Sequence, residues 1–220
     1  MTNKIQAVVY DWDDVIINVA YIYFQLLQET ALKLGSKPFT FKDFSSVYGL
    51  PEDVIARNLF PRTPFSEVIQ TYQSLNPQYT LIPGADSTLS YTLANYPVNG
   101  ILTSRRRERL VKRVNEHGIE LSSFTFIFTA EDLVYPKPDP RAFDPVKEEL
   151  TSYEIRPDRA IYVGDSVLDF QAAYAAGLNF VGVLTGITER DKFVNNGLNS
   201  AMIIASIAEL PELLQSGFNG

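Results

Sequence analysis

The stretch Ala7-Val8-Val9-Tyr10-Asp11-Trp12-Asp13-Asp14-Val15-Ile16 constrains the fold more than any other part of the chain. Val8, Val9 and Tyr10 are β-branched or aromatic, residues that suit a buried strand. Successive strand side chains point to opposite faces, so Asp11 and Asp13 project to the same side. Two unit charges about 4 Å apart repel by on the order of 4 kcal/mol at an effective dielectric of about 20. Such a pair at a strand end calls for a cation, although the segment alone reads equally well as an acidic turn after a strand. An EF-hand loop is excluded, because Val15 falls on a ligand position and no Gly follows where the turn requires one.

Composition narrows the chemistry. With 45% hydrophobic residues, the 220-residue chain can bury a substantial core, as one large domain or one domain with a smaller insertion. The absence of cysteine removes disulfides, thiolate metal sites and Cys nucleophiles. The one histidine, His117 before Gly118, reads as a helix C-terminal residue, which argues against a His-based metal centre or a Ser-His-Asp triad. A formal net charge of −7 argues against a nucleic-acid partner, and Arg105-Arg106-Arg107 reads as a solvated helix face. No apolar stretch approaches a membrane span, and Met1-Thr2-Asn3-Lys4 leads into a strand rather than a signal peptide. The expectation is a soluble cytoplasmic protein.

From Asn18 to about Gly35 the apolar spacing is helical, and Gly35 with Pro38 marks a stop. Residues 38–82 read as short helices broken at Gly49-Leu50-Pro51, Pro61, Pro64 and Pro77, with no β-alternation. Pro83-Gly84 is a turn and a hinge candidate. Beyond it, strands at 98–102, 124–128, 160–163, 180–184 and 201–205 alternate with helices at 86–95, 105–116, 143–150, 168–176 and 208–214. This alternation predicts an α/β fold, a Rossmann-like parallel sheet with helices on both faces. The opening strand belongs to the sheet, so residues 1–16 and 85–220 form the core domain and 17–84 an inserted small α-helical cap domain. Neither a G-x-G-x-x-G nor a G-x-x-x-x-G-K-[ST] nucleotide cradle is present.

Open α/β sheets bind ligands outside the carboxyl ends of their strands. Those ends carry Asp11 and Asp13, then Thr103-Ser104 where a helix begins and free backbone N–H groups offer an anion site. Lys137 follows, between Pro136 and Pro138, and then Gly164-Asp165-Ser166 with Asp169 four residues past Asp165. Singly these are an N-cap, a loop lysine and a turn. Taken in order, at matching strand ends, they are far more specific.

The set resembles the haloacid dehalogenase superfamily, in particular its phosphatase and phosphomutase branch with a helical cap. Asp11-Trp12-Asp13-Asp14-Val15 matches D-x-D-[GD]-[TV], Thr103 the Thr or Ser closing the next strand, and Lys137-Pro138-Asp139-Pro140 K-P-x-P. Gly164-Asp165-Ser166-Val167-Leu168-Asp169 matches G-D-S-x-x-D, and Ala172–Gly177 and Gly182–Gly186 resemble phosphoglycolate phosphatase-like members.

The resemblance implies a Mg²⁺-dependent phosphatase acting on a small phosphorylated metabolite. Asp11 would attack phosphorus, forming an aspartyl-phosphate, and Asp13 would serve as acid and then base. Mg²⁺ would sit on Asp11, the Asp13 carbonyl and Asp165, with Asp169 supporting through water or as a direct ligand. Thr103, Ser104 and Lys137 would hold the phosphoryl oxygens. Asp13 argues against dehalogenation, which members lacking that aspartate perform. Two positions depart from the pattern. Asn18-Val19 stands where many relatives carry Asp-Ser, and Tyr23 stands where β-phosphoglucomutases carry a histidine. The alternatives are a phosphomutase, which Tyr23 disfavours, and a catalytically silent binding or regulatory protein. The chain is expected to be a monomer or homodimer.

Overall fold

The structure is a computed structural model and describes residues 4–50 and 52–217. The reading of Met1-Thr2-Asn3 as the lead-in to a strand, and of a break at Pro51, falls outside those residues. The chain divides into two compact units, Val19–Tyr79 and the remainder, Met1–Asn18 with Thr80–Gly220.

The larger unit is built on β1 (Ala7–Tyr10), β4 (Val98–Leu102), β5 (Phe126–Phe128), β6 (Ala160–Gly164), β7 (Asn179–Val183) and β8 (Ile203–Ile204). They form one six-stranded sheet in the order β5-β4-β1-β6-β7-β8, parallel at every pairing. β1 lies at the centre, Tyr10 opposite Ile101 on one side and Val163 on the other. All four β1 residues are fully buried, the near-continuous apolar run that a strand covered on both faces requires. Around the sheet lie α5 (Ala85–Asn95), α6 (Arg107–His117), α7 (Asp144–Ser152), α8 (Val167–Ala175), α9 (Arg190–Asn195) and α10 (Leu210–Gln215). Gly118, at φ 66°, ends α6 after His117, as the sequence led us to expect.

Strand order reverses between β1 and β6. Their carboxyl ends therefore flank the crevice where open α/β sheets hold ligands. Two details differ from the sequence reading. Ile17–Asn18 (β2) and Thr80–Leu81 (β3) pair antiparallel, so 38–82 does end in a strand. Strands of two residues are too short to display a period of two. The helix expected from Arg105 begins at Arg107, because Arg106 is extended and serves as its N-cap.

The smaller unit is helical: α1 (Ala20–Lys33), α2 (Phe41–Ser45), α3 (Glu52–Leu59) and α4 (Phe65–Ser74). Its core is aromatic. Phe44, fully buried, packs against the rings of Tyr23, Phe24, Phe41 and Tyr48 at centroid distances of 5.2–5.8 Å. Burying a side chain of that size contributes about 1.5–3 kcal/mol, a large share for so short a segment. A capping box between Thr40 and Asp43 starts α2 at that cluster.

Candidate active site

The loop leaving β1 turns sharply because Asp14 adopts φ 58°, a left-handed conformation that Asp tolerates and that a β-branched residue would not. The Asp11 backbone N–H donates to the Val163 carbonyl at 2.9 Å, which extends the β1–β6 ladder one residue past β1. The Trp12 N–H donates back to Asp11 Oδ1 at 2.8 Å and fixes that carboxylate's rotation.

Asp11, Asp165 and Asp169 each offer a carboxylate oxygen within 4.8 Å of the others. Lys137, from the loop after β5, has its side chain only 6% exposed. Its Nζ lies 2.5 Å from Asp169 Oδ1 and 3.4 Å from Asp11 Oδ2. The sequence motif alone permitted an exposed loop lysine; the structure places a buried ammonium among carboxylates. Burial by itself would lower the Lys137 pKa. The Asp11 and Asp169 charges overcome that and raise its pKa well above the ordinary lysine value.

The carboxylates experience the converse. Burial, outweighing Lys137 and aided by Asp169 and Asp13, pushes Asp11 up to about 7. Asp165 is raised well above the ordinary range, by burial first and then by Asp169, Asp14 and Asp11. Asp169 is already engaged: Oδ1 holds Lys137, while Oδ2 accepts from the Ser166 N–H at 3.2 Å and hydroxyl at 2.5 Å. The S-x-x-D spacing of that motif is a capping box, and it both starts α8 and orients the lysine's partner. Among the described residues none donates a hydrogen bond to the Asp165 carboxylate. Asp11, Asp165 and Asp169, oxygen donors with excess negative charge gathered at one point, are the donor set that a hard divalent cation takes.

Two glycines let the acids approach. A Cβ on Gly164 would lie 2.8 Å from Asp169 Cβ, and one on Gly186 would lie 2.0 Å from Asp165 Oδ2. Beside Gly186, the Thr185 hydroxyl donates to the Asp14 carbonyl, tying the loop after β7 to the loop after β1.

The remaining site residues separate. Thr103 is buried, with its N–H on the Phe128 carbonyl and its hydroxyl accepting from the Arg105 N–H at 3.1 Å. Ser104 is exposed. Neither caps α6, whose first N–H, at Arg107, donates to Glu131 Oε2. The helix expected to begin at Thr103-Ser104 starts later, at Arg107, so its terminal N–H groups are not presented beside those two hydroxyls. Asp13 turns toward Arg105, which meets both its oxygens at 2.6–2.9 Å. Arg105 is thus no solvated helix face; it lies on the loop after β4, its side chain 13% exposed.

Tyr162 also escaped the sequence reading. Its hydroxyl, fully buried in β6, donates to the Leu102 carbonyl at 2.7 Å and accepts from Lys137 Nζ at 3.0 Å. A tyrosine within the apolar run Ala160–Val163 was the available signal, since a buried phenol needs a partner. For Arg105 the signal was an unbalanced Asp13.

An open parallel sheet with carboxylates and a buried lysine at its switch point defines the class of protein. The model for the haloacid dehalogenase-like hydrolase family matches residues 8–183, and the chain belongs to that family. It is 25% identical over 197 residues to a protein of Saccharomyces cerevisiae named "Probable pseudouridine-5'-phosphatase", covering 81% of this chain and 82% of that one. It is 23% identical over 193 residues to pyrophosphatase PpaX of Anoxybacillus flavithermus, covering 86% and 87%. In fold it resembles a HAD-superfamily hydrolase, subfamily IA, variant 1, from Geobacter sulfurreducens, with a TM-score of 0.69 at 22% identity, covering 97% of each chain. Among the described residues no helix is long and apolar enough to cross a membrane.

Proposed function

We propose that the protein is a Mg²⁺-dependent phosphatase that hydrolyses a small phosphate monoester through an aspartyl-phosphate on Asp11. The observation that carries this reading is the Lys137 ammonium, buried 3.4 Å from the Asp11 carboxylate. A structural core gains little from burying that charge with three acids; a dianionic phosphoryl group approaching Asp11 requires it. The relatives named for phosphatase and pyrophosphatase activity support the same class.

An Asp11 oxygen attacks phosphorus while the bond to the leaving oxygen breaks, and Asp13 supplies that oxygen's proton. Asp13 then takes a proton from the water that attacks the aspartyl-phosphate, which frees inorganic phosphate and restores both carboxyl groups. Thr103 and Lys137 hold the phosphoryl oxygens. Asp11, the Asp13 carbonyl and Asp165 would hold Mg²⁺, with Asp169 supporting through water or as a direct ligand, and the ion would supply positive charge beside Asp11 and the phosphate. The inserted helical unit is assigned the choice of leaving group.

The test is inorganic phosphate release from a panel of phosphate monoesters, with Mg²⁺ or EDTA, beside Asp11→Asn. Turnover that needs both Mg²⁺ and Asp11 is the expected result. A broad panel on which the intact protein never exceeds Asp11→Asn refutes it.

A further inference from the structure

Arg105 is held at three points. Its N–H donates to Thr103 Oγ1 at 3.1 Å, its carbonyl accepts from the Ala130 N–H at 3.0 Å, and its guanidinium meets Asp13. Nε reaches Asp13 Oδ1 at 2.7 Å and Oδ2 at 2.9 Å, while Nη2 lies 2.6 Å from Oδ2. The two residues follow neighbouring strands, β1 and β4, so the sheet's own register sets their separation. The guanidinium is planar and matches a carboxylate at two points, which fixes the plane of the acid as well as its position.

We propose that Arg105 is a positioning residue for Asp13: its pinned fork presents the Asp13 carboxylate to the leaving oxygen and then to the attacking water. The inference rests on the phosphatase reading. Both Asp13 oxygens accept hydrogen bonds from Arg105, so the carboxylate is fixed at two points rather than one. A one-point cation cannot fix both oxygens, so lysine is an imperfect substitute.

The test compares intact protein, Arg105→Met, Arg105→Lys, Asp13→Asn and Asp13→Asn/Arg105→Met, with folding checked by circular dichroism. Two probes are used: the alkyl monoester that the panel turns over fastest, and 2,4-dinitrophenyl phosphate, whose leaving oxygen needs no proton. A misplaced acid typically costs about 100-fold, so Arg105→Met is expected to lose about that in alkyl monoester turnover. Its first-turnover burst of dinitrophenolate is expected to stay at the intact level. Arg105→Lys recovers part of the alkyl activity, and in Asp13→Asn the loss of Arg105 has no further effect.

A burst lost along with alkyl turnover, or an equal loss in the Asp13→Asn background, overturns the inference, since Arg105 would then act on the phosphoryl group or the fold. Absence of Asp11-dependent release in the intact protein overturns the phosphatase reading and takes this inference with it.

Discussion

Tyr162→Phe removes one oxygen and nothing else from the centre of the sheet. The ring keeps its packing, edge-on to Phe143 at 4.9 Å and beside Phe180 at 6.3 Å, so no cavity forms to complicate the result. Two hydrogen bonds disappear: the one donated to Leu102 O and the one accepted from Lys137 Nζ. Tyr162 is fully buried, so water does not replace the hydroxyl. Each buried group left without its partner costs about 1–3 kcal/mol. Lys137 retains Asp169 and Asp11, which places its share at the lower end. The sum is about 2–4 kcal/mol, or roughly 5–15 °C in melting temperature for a chain of this size. Reversible urea unfolding of the metal-free protein measures it. In a Lys137→Met background the loss is expected to shrink, because one of the two bonds is already gone. A loss below about 0.5 kcal/mol, the range of an ordinary surface change, would refute the claim that this phenol anchors the lysine.

Two further outcomes follow from the same site. Asp11 has a folded pKa of about 7 against an ordinary 3.8, and Asp165 is raised as well, so the metal-free folded state binds protons more readily than the unfolded chain. Its stability therefore falls as pH rises from about 4 to about 7. The Lys137 contribution has the same sign but a higher window: it is fully present below the ordinary lysine pKa and is lost only as pH rises through its higher folded value, so it does not vary between pH 6 and 8. Melting curves are expected to show the metal-free protein more stable near pH 6 than pH 8, with Mg²⁺ raising the melting temperature more at pH 8; equal shifts at both would sink the account. Gly186→Ala places a Cβ 2.0 Å from Asp165 Oδ2. Displacing a ligand's setting typically weakens metal affinity about 10–100-fold, and calorimetric Mg²⁺ titration should show that loss, whereas unchanged affinity would remove Gly186 from the site.

The sequence by itself determined the sheet's membership and the acids that line its switch point. Val8-Val9-Tyr10 had to be buried, the β/α alternation from 98 onward had to be parallel, and Asp11, Lys137, Asp165 and Asp169 stood at strand ends. These are local properties: hydrophobic periodicity and spacing along the chain carry them. What only the tertiary structure decided is who meets whom across strands. Arg105 is 92 residues from Asp13 and Tyr162 is 25 from Lys137, separations at which spacing says nothing of contact. The Arg105 run looked like solvent-facing charge until β4 was laid beside β1. The β2–β3 pairing was invisible for the same reason, since two residues on each side carry no pattern and only the meeting of distant segments makes them a ribbon. Long-range neighbours are set by the closing of the sheet, and it is that closing which turns a loop lysine into a buried ammonium and an unremarkable arginine into the partner of Asp13.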